Sequence, residues 1–434
     1  MRSFVLPALM LTAFAAPAYA LDLAQAYELA LKNDPQWSAT TNQYLAENQK
    51  ESISRGALLP TVGFSASLNR NNISPELSDS FDYTGQQYAL QVRQPLYRAD
   101  LWNAYQKSKS LTSVNEANYQ QKQQEQVLRV SEAYFNVLRA QETLAAAKAE
   151  EAALKRQLEQ AQKRFDVGLI AKTDVLEAQA QLDGSTAGRI SQEVNLSSAR
   201  EALSAIIGND NSTLSSLRSD FIVTPPQPNN PDDWVKLAHE KNPQLAAARF
   251  NYAAAEDVIR EQQAGYLPTV DFVGSFAKVD NGSDNSRSFN NADQVTAGIE
   301  LQWSLYAGGR TQNAIKQAHY ARDASKDQIS AIERQLTTLA RTSFLTASAD
   351  SYRVTARQQA MKSAEAALAA TKAGYDVGTR NIVDVLLAER NVYAAKRDYA
   401  NSRYDYVINT IKLRASAGQL SEVDIKELNG WLGQ

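Results

Sequence analysis

Two periodicities alternate along the 434-residue chain. In Thr61–Arg70, apolar Val62, Phe64, Ala66 and Leu68 alternate with Gly63, Ser65, Ser67 and Asn69. In Gln87–Gln94, Tyr88, Leu90 and Val92 alternate with Gln87, Gln91 and Arg93. A period of two predicts strands with one apolar and one polar face. The signal returns at Val270, Phe272 and Phe276, then at Val295, Ala297, Ile299, Leu301, Trp303 and Leu305. Opposite that last row lie Thr296, Gly298, Glu300, Gln302 and Ser304. The segments Asn71–Asp82 and Lys278–Asp293 are rich in Asn, Ser and Asp and read as solvated hairpin loops.

Around these strands the period becomes helical. Opening helices are predicted over about Leu21–Ala57 and Asp232–Tyr266. Very long helices are predicted over Asp100–Asp166 and Arg310–Asp376, without proline and almost without glycine. Val127, Val130, Tyr134, Val137 and Leu144, then Leu154, Leu158, Ala161 and Phe165, follow heptad spacing. A phase change near Lys148–Leu154 predicts a stammer. Small residues are dense at Ala145-Ala146-Ala147, Ala366-Ala367 and Ala369-Ala370. Return helices are expected over Asp174–Ile207 and Ile382–Ala417. At 1.5 Å per residue the long helices span ~100 Å, and the return and opening helices ~50 Å each. This arithmetic predicts that each return helix stacks end to end on the opening helix of the other repeat.

The order of elements occurs twice. Asp34-Pro35 recurs as Asn242-Pro243, and Leu59-Pro60-Thr61-Val62 as Leu267-Pro268-Thr269-Val270, both 208 residues apart. Phe165-Asp166-Val167-Gly168 recurs as Tyr375-Asp376-Val377-Gly378, 210 residues apart. The expected organisation is a first repeat over 21–208, a proline-rich linker over 209–231, a second repeat over 232–418 and a tail over 419–434. The two Val-Gly turns read as the tips of helical hairpins.

Composition then narrows the setting. The net charge of −3 gives no reason to expect nucleic acid, and zero cysteines exclude disulfides and thiol chemistry. Arg2, the apolar run Phe4–Ala16 and Ala18-Tyr19-Ala20 read as a signal peptide over 1–20, with Leu21 the first mature residue. No later segment is apolar over the ~18 residues a spanning helix needs. The mature chain is therefore soluble, or it spans a membrane through its strands. Four strands cannot close a membrane barrel, which needs at least ~8, whereas three copies would bring twelve. The alternative is a periplasmic coiled-coil adaptor or scaffold without a barrel.

No constellation for catalysis is present. His239 and His319 stand apart, and Gly308-Gly309 lacks the pattern of a phosphate loop. No enzyme activity, cofactor or metal is expected.

The doubled plan, the Leu-Pro-Thr entries to the strands and above all Ala373-Gly374-Tyr375-Asp376-Val377-Gly378-Thr379-Arg380-Asn381-Ile382-Val383-Asp384-Val385-Leu386 resemble the TolC family of outer membrane factors. Tyr134-Phe135-Asn136-Val137-Leu138 and Arg403–Asn409 add to the resemblance, which covers essentially the whole mature chain. It implies a homotrimer with a twelve-stranded outer-membrane β-barrel continuous with a long periplasmic α-helical coiled-coil barrel. Such a duct serves tripartite multidrug efflux or type I secretion. Its partners would be a periplasmic adaptor, an inner-membrane transporter of RND, ABC or MFS type, and outer-membrane lipid.

The resemblance also assigns residues. Asp384 would form a carboxylate ring at the periplasmic gate; Leu387 stands where the family archetype has a second acidic residue. Asp174, Thr173, Tyr375 and Arg380 would latch the mouth. Val167, Gly168, Leu169, Val377, Gly378 and Thr379 would meet the adaptor. The residues also admit local readings. Asn381 would cap its helix with Asp384 at N3, and Asp174 would be an N-cap with Glu177 at N3.

Overall fold

The computed structural model describes residues 20–73, 81–209, 212–218, 220–280 and 291–433. All but Ala20 of the expected signal peptide, and most of both hairpin loops, lie outside the described residues. The chain is mainly helical and internally duplicated. In order it forms α1 (Leu23–Asn33), α2 (Pro35–Gly56), β1 (Thr61–Ile73), β2 (Phe81–Tyr97), α3 (Ala99–Asp166) and α4 (Lys172–Ile207). The second half gives α5 (Pro231–Lys241), α6 (Pro243–Gln263), β3 (Thr269–Asp280), β4 (Asn291–Gln302), α7 (Arg310–Asp376) and α8 (Ile382–Ser416), and a further helix, α9 (Glu422–Asn429), follows.

Each opening helix is two helices, not one. Asp34 (φ −76°, ψ 113°) and Asn242 (φ −71°, ψ 123°) are extended, and a proline follows each. The proline ring disfavours helical backbone at the preceding residue and removes an N–H donor. The period-two row is also shorter than expected, because β4 stops at Gln302, before Trp303 and Leu305. Outside the strand, the Trp303 indole N–H donates to the Tyr266 carbonyl at 3.0 Å.

The chain divides into two compact units. The second comprises Thr41–Gln121 and Pro243–Gln335. It holds one antiparallel sheet of order β1-β2-β3-β4. The register sets Phe64 opposite Leu90, Leu90 opposite Phe276, and Phe272 opposite Ile299. Directly paired residues share a face, so the apolar rows of all four strands coincide. That face is uncovered: Val62, Phe64, Leu68, Val295, Ile299 and Leu301 are all exposed.

The opposite face is polar and ends in an alternating ion network. Arg93 reaches Asp271 at 2.8 Å and Glu300 at 3.1 Å. Arg98 reaches Asp271 at 3.4 Å and Asp100 at 2.8 Å. The network ties β2, β3 and β4 to the first turn of α3. Its bonds to Arg98 hold the Asp100 carboxyl below the usual carboxylate range. In the helical part of this unit, Tyr44 stacks on Tyr119 at 4.2 Å, and Val114 and Ala117 pack on Ala247.

The first unit comprises the described residues up to Thr40, with Lys122–Asn242 and the chain from Leu336 onward. Its main core joins Leu23 and Ala30 of α1, Val130, Tyr134 and Leu138 of α3, Ile207 of α4, and Tyr404 and Ile411 of α8. α9 adds Ile425 and Leu428. Ser421 and Asp424 cap this helix reciprocally, and Arg414 pairs with Asp424 and Glu427. The linker joins the core through a parallel bridge of Leu214 to Leu21 and an antiparallel bridge of Leu217 to Leu432. The Tyr134 hydroxyl lies 2.9 Å from the Leu21 carbonyl and 3.0 Å from that of Ser215, while the Tyr404 hydroxyl donates to Glu142 at 2.6 Å. Burial pushes both phenols well above their usual range.

The helix joins differ from the expected pairing. The Asn33 amide donates to the Ile207 carbonyl at 2.7 Å, and the Asn242 amide to the Ser416 carbonyl at 3.1 Å. Each return helix thus ends against the opening-helix break of its own repeat, not of the other. The last carbonyls of a helix need donors, and an Asn beside the proline break supplies one. Gly208 (φ +87°) and Gly418 (φ +69°) turn the chain away at these joins.

Two outcomes are expected. A Cβ at Gly418 would stand 2.6 Å from the Asn242 Cα, whereas one at Gly208 would meet the Asn33 side-chain nitrogen at 3.1 Å. Gly418→Ala should therefore cost about 2–4 kcal/mol, and Gly208→Ala less, as read by thermal unfolding of the purified protein. The second concerns pH. Tyr134 and Tyr404 titrate higher folded than unfolded, so the stability they confer is complete below the ordinary phenol value of 10.0. It is lost as pH rises from there toward the folded values, by up to ~1.4 kcal/mol per pH unit for each group. Melting curves from pH 9 to 11 should show this fall, with a shallower slope for Tyr134→Phe.

Candidate functional site at the helical tips

Both tips are built by the same backbone device. Gly168 (φ +75°) and Gly378 (φ +80°) occupy the left-handed region that glycine tolerates without a Cβ penalty. Leu169 N–H donates to the Arg164 carbonyl at 2.8 Å, and Thr379 N–H to the Gly374 carbonyl at 2.8 Å. Gly168 and Gly378 donate to the carbonyls of Phe165 and Tyr375. These paired bonds close the ends of α3 and α7 as Schellman turns. The turns leave Val167, Leu169 and Val377 at 70%, 72% and 75% exposure. Thr379 is exposed as well. The candidate contact residues thus form two apolar, solvent-facing points.

The restart after each tip differs. Asn381 caps α8: its side chain accepts from the Asp384 amide at 2.8 Å, and the Asp384 carboxylate accepts from the Asn381 amide at 3.3 Å. Asp384 therefore sits at N3 of a capping box, as its spacing predicts, where a carboxylate also favours the helix N-terminus. Its side chain is 35% exposed, and the Arg380 guanidinium is 3.9 Å away. Leu387 is exposed, one turn on.

The first tip lacks this box. The N-cap of α4 is Ala171, which has no capping side chain, and Asp174 lies at N3 with its amide bonded to the Ala171 carbonyl. The reading of Asp174 as an N-cap is thus corrected. The helix starts at Lys172, two residues before the expected position, because an extended Ala171 serves as the cap.

Tyr375 packs on a cluster of Leu154, Ala161, Ala178, Ile382 and Leu386, which draws on both hairpins. Among the described residues, no hydrogen bond or ion pair within one chain joins Asp174 or Thr173 to Tyr375 or Arg380.

Three residues that the motif reading left without a role stand out here. The Gly374 carbonyl accepts from Thr379 N–H, the Thr379 hydroxyl at 3.0 Å and Arg380 N–H at 3.2 Å. A Cβ at Gly374 would lie 2.9 Å from the Arg380 Cγ, so this glycine makes the space Arg380 occupies. Arg164 and Asp376 form an ion pair between the two tips. The glycine was visible in the tip sequence, but its role needs the fold-back of Arg380.

Among the described residues, no cluster of three or more His, Cys, Asp or Glu could hold a metal ion. What the site offers is apolar points, an oriented carboxylate and an exposed arginine only loosely paired with it.

A family model described as "Outer membrane efflux protein" matches residues 26–209 and again 234–419. Outer membrane protein TolC of Vibrio cholerae is 35% identical over 95% of this chain and 94% of its own. The alkaline protease secretion protein AprF of Pseudomonas aeruginosa is 28% identical over 94% of this chain and 87% of its own. Among solved structures, the Campylobacter jejuni CmeC outer membrane channel superposes with a TM-score of 0.78 at 16% identity, covering 95% of this chain and 90% of its own. With its uncovered apolar sheet, its doubled helical plan and these matches, the chain belongs to the outer membrane efflux protein family, a family of transport channels, and is an exit duct of the outer membrane.

Proposed function

We propose that three copies of the mature chain, beginning at Leu21, close a twelve-stranded barrel and a helical tunnel. One observation carries this: among the described residues, a four-stranded sheet has an uncovered apolar face and strand partners on only one side of β1 and of β4. Lipid accepts the face but not the open edges, since unpaired backbone groups in hydrocarbon cost several kcal/mol each. Copies joined β4 to β1 satisfy both. The helices support the same reading, because Ala366, Ala367, Ala369 and Ala370 are exposed in a single chain, as are Leu345 and Tyr352. A scaffold without a barrel would leave the sheet's apolar face in water.

In this assembly Asp384 rings the periplasmic mouth, and converging carboxylates attract cations. Leu387 adds an apolar ring. Arg380 reaches the Asp174 carboxylate of a neighbouring copy, with Thr173 and the Tyr375 hydroxyl as further partners, and so holds the mouth closed. The six tips of a trimer dock on a periplasmic adaptor, which couples the duct to an inner-membrane transporter. The cargo is small molecules or proteins, and the similarity to AprF fits a secretion role.

In planar bilayers the purified protein should conduct as a detergent-stable trimer. A monomer absent from outer membranes would sink the reading. Arg380→Ser combined with Tyr375→Phe should raise conductance several-fold, and Asp384→Ala should abolish block by polyvalent cations. Gly374→Ala should loosen the same gate without touching a charge, because its Cβ displaces the Arg380 stem. A conductance equal to the unmodified protein would separate Gly374 from the gate.

A further inference from the structure

Arg164 takes no part in the latch described above, yet it makes polar contacts between the two tips of one chain. It lies in the last turn of α3. Its guanidinium sits over the Tyr375 ring, 4.6 Å from the centroid. Its Nη2 is 3.5 Å from the Asp376 carboxylate, with the two side chains 30% and 66% exposed. Tyr375 and Asp376 are the last two residues of α7. Their arginine partner therefore comes from the other hairpin, and the cluster of Leu154, Ala161 and Ile382 backs the Tyr375 ring.

We propose that Arg164 is a gate-positioning residue: it clamps the α7–α8 tip to the α3–α4 tip within each chain, and the mouth opens only when this clamp gives way. The inference rests on reading the tips as the duct's periplasmic mouth. It adds an intrachain restraint, independent of the bond from Arg380 to a neighbouring copy. Any opening that moves one hairpin against the other must slide the guanidinium off the ring.

The two halves of the clamp differ in weight. Asp376 is largely solvated, so its ion pair is weak and screened by salt. The ring contact is partly desolvated, and a planar guanidinium suits it better than an ammonium does. The tyrosine ring, not its hydroxyl, is thus the larger part. This separates the clamp from the latch, which uses the hydroxyl.

A second role for Arg164 is local. A cation in the last turn of a helix favours its C-terminus whatever its shape. Lysine would preserve that role and lose the stacking.

The test uses full-length trimers in planar bilayers, with trimer formation checked on gels. Arg164→Lys and Arg164→Gln should each raise the open fraction about fivefold. Tyr375→Leu should do the same, and adding Arg164→Gln to it should bring little more. The chain has no cysteine, so the pair Arg164→Cys and Asp376→Cys can form only introduced disulfides. The oxidised product should be a cross-link within one chain that holds the channel closed until it is reduced. If Arg164→Lys behaves as the unmodified protein while Arg164→Gln opens, the residue acts on the helix end and the clamp is overturned. If neither opens while Arg380→Ser with Tyr375→Phe does, the clamp falls and the mouth reading stands. If no variant opens, both fall.

Discussion

A β-sheet leaves a row of backbone donors and acceptors along each free edge, and lipid offers them no partner. Among the described residues this chain makes four strands, in sequential order, with β1 and β4 at the edges and apolar rows in register on one face. Several other features can be referred to that constraint. The duplication supplies two hairpins where one chain could have supplied one. The long helices carry residues that are exposed in a single chain and suited to close packing, such as the alanines at 366–370. The alternating network Asp100–Arg98–Asp271–Arg93–Glu300 then ties three strands to the first turn of α3, where the extended backbone turns helical.

The tips solve a different problem. A helix end leaves carbonyls unpaired, and a helix start leaves amides unpaired. The Schellman turns meet the first need at both tips, and the Asn381–Asp384 box meets the second at one of them. The other restart has Ala171 as its cap and so leaves the Asp174 side chain without a capping-box hydrogen bond. That asymmetry matters for the proposed gate. Asp384 is held in place by its capping bonds and keeps one face toward solvent, whereas Asp174 is left available to a neighbour. A single residue type at equivalent places in the two repeats is thus given two different local environments by the residue three positions earlier.

Much of this was legible in the sequence, and the reasons are specific. Period-two alternation is unambiguous when every second residue is Val, Phe, Leu or Ile, and glycine in a Val-Gly turn marks a helix end. The tail was not legible as a helix, although Ser421 and Asp424 form a capping box and Ile425 and Leu428 lie on one face, because eight residues give too short a period to stand out. The breaks at Pro35 and Pro243 were visible as prolines, but the flanking helical pattern masked them. The helix joins failed for a stronger reason. Length arithmetic says that two ~50 Å helices equal one of ~100 Å, but not which two. That choice depends on the hydrogen bonds of Asn33 and Asn242, which no periodicity encodes.

The contacts that sequence reasoning missed at the tips share a cause. Arg164 and Tyr375 are 211 residues apart, and nothing local to either predicts the other. The tip motif shows Tyr375 and Arg380 as neighbours in sequence and so suggests that they act together. The structure divides them: the Tyr375 ring faces Arg164 of its own chain, while Arg380 folds over Gly374 and has Asp384, at 3.9 Å, as its ion-pair partner among the described residues. A gate built this way has an inner restraint fixed by folding of the single chain and an outer one that only assembly can complete. In the proposed gate the inner restraint would order the tip before any neighbour arrives and so lower the entropy that the outer contact must overcome when the copies meet.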